Sequence, residues 1–490
     1  MKSVKTGLGL LVFGISLLLI LSGLILGVFG DLQHRSYIFA FLIAAVLTVS
    51  VAACHIRAGK LIADIDTWNV RRIEIVLTVL CFIISLTWVL LFRVEPREDY
   101  LTFWTTAKDL ASSSRLRQRE YLALFPHILG YSAFLSLVLR IFGTGLLVPA
   151  VVNCILSSLT GHFIFRVIQS QFGTTAGVFA FLLWILCPSR ILYNTMVLSE
   201  PYYTCLLFCF FSVLHSFAEK KQKSIVASLL MGLLAGAILA LVNTARPIGI
   251  IPILALVIWL VFLTTWGGKK EKIKTWVVFV LALIICYQVC GSGWKQFERK
   301  VLEEEPAGIP GYSISVGFNM ESQGTYCQDD MDHLFAFRYD EGGSAVSAQQ
   351  AMFGIAKERI AQGKRQIPML MIHKLKSLIG NDEGGAYYSR IELGQTGYLF
   401  ASLFSNVFYY SICLLAVLGL LRLMRKRSCG IFFVPILYYI GLVLAQLLVE
   451  VSGRYHYSLV PVLICLAAAA ANKHFYCNTA MRLMMVRMAS

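Results

Sequence analysis

The sequence predicts an all-α polytopic membrane protein, and two observations carry that prediction. Hydrophobic residues make up 58% of the 490-residue chain against 14% charged, with a mean hydropathy of +0.72, a balance that an ordinary soluble enzyme does not show. The apolar residues also fall in continuous runs near the roughly 20 residues that a helical span needs, not in the alternating pattern of a membrane β-barrel. The recurrence of such runs predicts about twelve or thirteen transmembrane helices. Interfacial helices are expected in the first large outer loop, and a small mixed extracytoplasmic subdomain in the long polar stretch before the last spans.

Charge and cysteine usage narrow the class further. The net charge of +16 would suggest nucleic acid in a soluble protein. Here the Lys and Arg residues lie mostly in short loops between spans, so they set topology and attract anionic membrane lipids, and no nucleic-acid partner is expected. The 13 cysteines are scattered singly without metal-type spacing, and read as small apolar packing residues. No Walker-type loop, dinucleotide fingerprint or zinc spacing occurs. That argues against a nucleotide-driven pump and against a cytoplasmic nucleotide-sugar enzyme.

Taken in order, residues 1–93 are N-terminal transmembrane helices. Lys2 and Lys5 place the N-terminus in the cytoplasm, and Gly7 to Gly30 is too long for a cleaved leader and reads as a retained span. Asp31 to Arg35 turns outside and Ser36 to Ile56 returns. Arg57, Lys60, Arg71 and Arg72 mark the cytoplasm before Glu74 to Phe92 crosses outward. Residues 94–130 form the first large outer loop, broken by Pro96 and Pro126 and carrying short surface helices. Residues 131–293 are the transmembrane core, opening with an interfacial or half-spanning Tyr131 to Phe142. Leu146 to Ile168, Thr174 to Cys187, Tyr202 to Phe217, Ile225 to Val242, Ile248 to Trp266 and Trp276 to Cys290 then cross, with basic turns at Lys220 to Lys223 and Lys269 to Lys274. Residues 294–396 are the polar extracytoplasmic stretch, with a helix-like Val346 to Gln362. Residues 397–490 hold the spans Tyr398 to Leu421, Ile431 to Val449 and Leu459 to Ala471, and a basic cytoplasmic tail.

Carboxylates and arginines at outer span ends carry the candidate chemistry. Glu98 and Asp99 follow an apolar run, where a charge is costly unless used. Adjacent side chains diverge, so one of the two faces a given pocket. Asp99, Phe103 and Ala107 recur at steps of four and share one helical face. Glu200 opens an apolar span, where a helix N-terminus favours an anion. Arg246 and Arg454 sit at outer span ends, and Lys374 and Lys376 lie shortly before the next span, within reach of a phosphate at headgroup depth. Such side chains also serve as snorkelling anchors. The adjacent Asp329 and Asp330 read as a turn.

The acid loop, with its aromatic and alanine at steps of four, resembles the first outer loop of the GT-C superfamily of lipid-phosphate-sugar-dependent glycosyltransferases, in its bacterial protein-mannosyltransferase-like branch, family 39. Further stretches are similar in order: Phe125-Pro-His-Ile-Leu-Gly-Tyr131, Leu198-Ser-Glu-Pro-Tyr-Tyr203, Asn243-Thr-Ala-Arg-Pro-Ile-Gly249 and Glu450-Val-Ser-Gly-Arg-Tyr-His456. The resemblance implies a polyprenyl-phosphate-linked sugar as donor and an acceptor hydroxyl on a cell-envelope glycan, polymer, lipid or protein. Asp99 is then the candidate base, with Glu98 the alternate, and transfer is expected to be inverting. Arg246, Arg454, Lys376 and Lys374 become the candidates for the donor phosphate. Glu200, His127, Tyr131, Asn243, Tyr455 and His456 become those for sugar or acceptor. A divalent cation such as Mg or Mn, held by Asp99 and Glu200, is left open. The expected location is a multi-pass protein of the bacterial cell membrane with both termini cytoplasmic and the site extracytoplasmic. A flippase for lipid-linked saccharides would bury its charges at mid-membrane. An envelope polysaccharide polymerase or ligase would need the outer arginines but no special first-loop acid.

Overall fold

The computed structural model describes residues 2–30, 35–57, 69–219, 224–264, 266, 270–427 and 429–470, and every regular element among them is helical. Among the described residues, eight helices are long and apolar enough to cross a membrane, and five shorter apolar helices accompany them. The all-α polytopic expectation is met. Glu200–Glu219 and Arg390–Lys426 are the most enclosed of the long helices, whereas Arg35–Ala53 is the most peripheral. Several basic stretches used to orient the chain, Lys60, Lys220 to Lys223, Lys269 and the tail beyond 470, lie outside the described residues, as does most of the turn from Asp31.

Small residues let the helices approach closely, as packing within lipid requires where no hydrophobic effect drives helix to helix. Gly232 and Gly236 of Ile225–Ala245 lie against Lys270–Leu302, where a Cβ would stand 2.4 Å from the Phe279 and Leu283 carbonyls. Gly419 seats Arg390–Lys426 on Val460–Ala469, with 1.9 Å between a built Cβ and the Leu466 oxygen. Gly130 does the same for His127–Phe142, whose first turn crosses the end of Ile225–Ala245 at the Thr244 carbonyl, 2.2 Å from a built Cβ. That crossing delivers the first loop to Arg246.

The first loop is helical as expected. Asn69 caps the preceding span, its Oδ1 accepting from the Arg71 and Arg72 amides at 3.1 and 3.2 Å. An extended stretch through Pro96 then leads into Glu98–Ala111, followed by Arg119–Leu124. The face predicted from the fourfold spacing is buried at Phe103 and Ala107, and the Phe103 ring meets Tyr131 edge-on at 5.5 Å.

The mixed subdomain is a correction. Lys270–Leu302 continues unbroken past the predicted span end, and the stretch after it consists of short helices, among them Gly311–Gly317, Gln328–Phe335, Ala345–Gln362 and Ile367–Ile379. Their polarity misled because they bury residues such as Leu334, Ala348, Met352 and Leu378 against their neighbours. Ile367–Ile379 packs directly on the first span, where a Cβ at Gly27 would stand 1.7 Å from the Gly380 carbonyl. The last long helix bends at Gly394, whose φ of 65° only glycine adopts easily.

Overpacking tests this arrangement. Gly419→Val and Gly130→Val should each lower thermal stability by about 1–3 kcal/mol, read as an earlier melting transition in detergent. Glycine replacement at Gly143, which has open space around a Cβ, is the reference for a change with strain but no clash.

Candidate active site

Asp99 sits in the first turn of Glu98–Ala111, where the helix N-terminus favours a carboxylate. Its neighbour Glu98 takes a φ of 50°, turns outward and is exposed. The Arg97 side chain is tied to Glu392 at 2.7 Å, which fixes where the helix begins. Asp99 makes an ion pair with Arg454, while its side chain keeps 43% exposure against 12% for the guanidinium. The acid is therefore accessible from outside, and the arginine lies behind it as the wall of the space they border, the chamber.

Arg454 is held by rings. It lies in the single turn Gly453–His456, with its guanidinium carbon 5.9 Å from the Tyr100 ring centre, 5.7 Å from Tyr388 and 5.5 Å from Tyr455. Cation–π contacts of this kind strengthen when shielded from water. Tyr455 also stacks on Arg246, at 4.8 Å. Arg246 in turn bonds Glu200 at 2.6 Å, and Glu200 is only 1% exposed. Asp99, Arg454, Tyr455, Arg246 and Glu200 thus form one chain of contacts. His127 stands within electrostatic reach of Asp99, Arg246 and Arg454.

Two carboxyls of this chamber are tuned in opposite senses. Burial alone would raise Asp99, but the charge and hydrogen bond of Arg454 outweigh it and hold the carboxyl below its usual range. Burial pushes the Glu450 carboxyl up to about 7, with Arg454 opposing that rise and Asp99 adding to it. Glu450 is the residue that sequence reasoning missed. It opens the same motif as Arg454, four residues earlier, directly after an apolar run, and that placement was the available signal.

Other candidates are occupied elsewhere. Lys374 is buried and donates to the Gly317 and Leu447 carbonyls at 2.9 and 2.7 Å, and burial pushes its amine down to about 7. Lys376 reaches the Gly30 carbonyl at 3.1 Å. The Asn243 side chain accepts from the Gly249 amide at 3.2 Å and so closes the turn after Arg246. His456 is buried between the Leu378 carbonyl at 2.6 Å and Asp382 at 3.1 Å. Tyr131 lies behind Phe103, fully buried, its hydroxyl without a hydrogen-bond partner among the described residues. Asp330 is buried on Arg359 at 2.7 Å. Asp99 and Glu200 pair with different arginines, and no group of three or more His, Cys, Asp or Glu residues comes together among the described residues. A donor set for Mg or Mn is not assembled here. Beside the Asp99 helix, a cleft of about 800 Å³ is lined by Thr102, Arg115, Arg117, Arg119, Tyr121 and Tyr339 among others. Arg117 is neutralised there by Asp109 at 2.7 Å, and Arg115 and Arg119 both face Glu303.

Fold and site together describe a multi-pass membrane protein with a cationic, carboxylate-bearing chamber at its span ends. Residues 126–290 match the family described as dolichyl-phosphate-mannose-protein mannosyltransferase. No curated protein matches the chain. Among solved structures, the Archaeoglobus fulgidus oligosaccharyltransferase in complex with Zn and sulfate is similar over 84% of this chain, at 11% identity and a TM-score of 0.45. ArnT from Cupriavidus metallidurans bound to undecaprenyl phosphate is similar over 81% of this chain and 77% of its own, at 13% identity and a TM-score of 0.37. The chain spans 51% of the oligosaccharyltransferase's length.

Two substitutions separate wall from scaffold. Glu200→Gln should destabilise the fold by about 3 kcal/mol, because Arg246, 17% exposed, loses its anion. His456→Ala should cost about 1–3 kcal/mol by orphaning Asp382 and the Leu378 carbonyl. Melting curves would show both losses, and the His456 variant should keep donor affinity when refolded material is titrated.

Proposed function

We propose that the protein transfers a sugar from a polyprenyl-phosphate-linked donor to an acceptor hydroxyl of the bacterial cell envelope, in a chamber opening at the extracytoplasmic face, with both chain termini in the cytoplasm. The observation that carries this reading is the linkage of Asp99, Arg454 and Arg246 through the shared Tyr455 ring. An acid beside two shielded guanidinium groups suits a reaction that binds a neutral nucleophile and expels a phosphate.

In this reading the donor phosphate docks against Arg454 and Arg246, whose charge offsets the negative charge that grows on the phosphate oxygen as the sugar leaves. Asp99, kept ionised by Arg454, accepts a hydrogen bond from the acceptor hydroxyl and aims its oxygen at the anomeric carbon. The C–O bond to the acceptor forms as the C–O bond to the phosphate breaks and the hydroxyl proton passes to a nearby carboxylate, which inverts configuration in one displacement. Docking of the donor's monoanionic phosphodiester competes with Asp99 for Arg454, so donor binding frees the acid for the acceptor. The cleft beside the Asp99 helix is the route by which a polyhydroxylated acceptor arrives, its charge-balanced walls and two tyrosines suiting a neutral glycan chain better than a polyanion.

Purified protein incubated with a panel of undecaprenyl-phosphate-linked sugars and a cell-envelope extract as acceptor source should release free undecaprenyl phosphate from at least one donor. Asp99→Asn should reduce that release by about 10²–10⁴-fold while expression and melting stay near wild type. Full activity in Asp99→Asn would count against the reading.

A further inference from the structure

Glu450 is a carboxylate near the chamber that, among the described residues, has no ion-pair partner. Asp99 has Arg454, Glu200 has Arg246 and Asp330 has Arg359. No hydrogen bond or ion pair reaches the Glu450 carboxylate among the described residues. Its backbone, by contrast, is firmly placed. The Glu450 amide donates to the Ser313 carbonyl at 2.6 Å and the Val451 amide to the Gly324 carbonyl at 2.9 Å. Lys374 ties the Leu447 carbonyl just upstream. Gly317 lies so close beneath that a Cβ there would stand 2.5 Å from the Val449 carbonyl carbon and 2.9 Å from the Glu450 nitrogen. A loop clamped at four points presents one uncommitted acid.

The groups within its electrostatic reach come from every element around the chamber. They are Asp99 of the first-loop helix, Arg246 at the end of Ile225–Ala245, Arg454 and Tyr455 of the closing turn, and Lys374 of Ile367–Ile379. Tyr121, Tyr312 and Tyr326 feel its charge from the outer side. Glu450 thus lies within electrostatic reach of both the arginine that would receive the donor phosphate and Asp99.

Resting on the transfer reading above, we propose that Glu450 is the proton acceptor of the reaction, with Asp99 acting to hold the acceptor hydroxyl in line. The division of labour follows from the contacts. A carboxylate engaged by an arginine is a strong hydrogen-bond acceptor but a weak base, whereas an unpaired carboxylate in a dewatered wall binds a proton readily. In the step, the hydroxyl O–H bond breaks and its proton moves to a Glu450 oxygen. The acceptor oxygen bonds the anomeric carbon, and the sugar–phosphate bond breaks with its electron pair remaining on the polyprenyl phosphate. Glu450 then returns the proton to water or to the departing phosphate, whose own basicity rises on release.

The sign of the pH dependence is fixed by this role. A base must be ionised, so kcat should rise with pH through about 7 as the Glu450 carboxyl, raised by burial, gives up its proton. Asp99, held low, is already ionised across that range. Lys374 loses charge near the same pH, which opposes ionisation of Glu450 and broadens the limb without reversing it.

The test uses the full chain in detergent, the panel of undecaprenyl-phosphate-linked sugars and the envelope extract, with undecaprenyl phosphate release as readout. Glu450→Gln should lower kcat by about 100-fold or more, leave the donor KM within about 2-fold and abolish the ascending limb. Glu450→Asp should recover part of kcat and restore a limb. Melting curves for both variants separate a folding defect from a chemical one. A Glu450→Gln protein with wild-type kcat, or one that keeps the ascending limb, overturns the assignment while the transfer reading stands. Absence of release by the wild type from every donor overturns both.

Discussion

Charge buried where membrane meets water governs this structure. An ionised carboxylate or guanidinium there is expensive unless it is paired and hydrogen-bonded, and the fold meets that constraint with two acid–arginine pairs joined through one aromatic ring. Much of the surrounding architecture serves to deliver those pairs. Gly130 lets the first-loop helices cross the end of Ile225–Ala245, and the turn after Arg246 is closed by Asn243. The closing turn at Arg454 is anchored from behind by His456 on Asp382.

Much of this was legible in the sequence, for physical reasons that differ by level. The spans follow from hydropathy because lipid admits little else than an internally bonded helix. The buried face of the Asp99 helix follows from spacing alone, since Phe103 and Ala107 must lie one and two turns beyond the acid. The spacing favoured Asp99 over Glu98, but the left-handed backbone angle at Glu98 is announced by no residue type there. The lysines were misleading for another reason. Lys374 satisfies carbonyls at Gly317 and Leu447, residues distant in the chain and invisible to any local pattern.

Glu450 shows the same limit from the other side. Its position after an apolar run was plain, but its lack of an ion-pair partner arises from tertiary packing: a glycine 133 positions earlier in the chain admits the loop, while Lys374 nearby is spent on the Gly317 and Leu447 carbonyls. The polar stretch before the last spans likewise reads as a mixed domain only when its helices are considered singly. Each is amphipathic enough to look like surface, yet together they bury residues such as Leu334, Ala348 and Met352.

The Tyr455 ring has one further consequence. Its centre lies 4.8 Å from the Arg246 guanidinium carbon and 5.5 Å from that of Arg454, so two otherwise separate acid–arginine pairs share one aromatic neighbour. Removing this one side chain would therefore take the shared neighbour from both acid–arginine pairs at once.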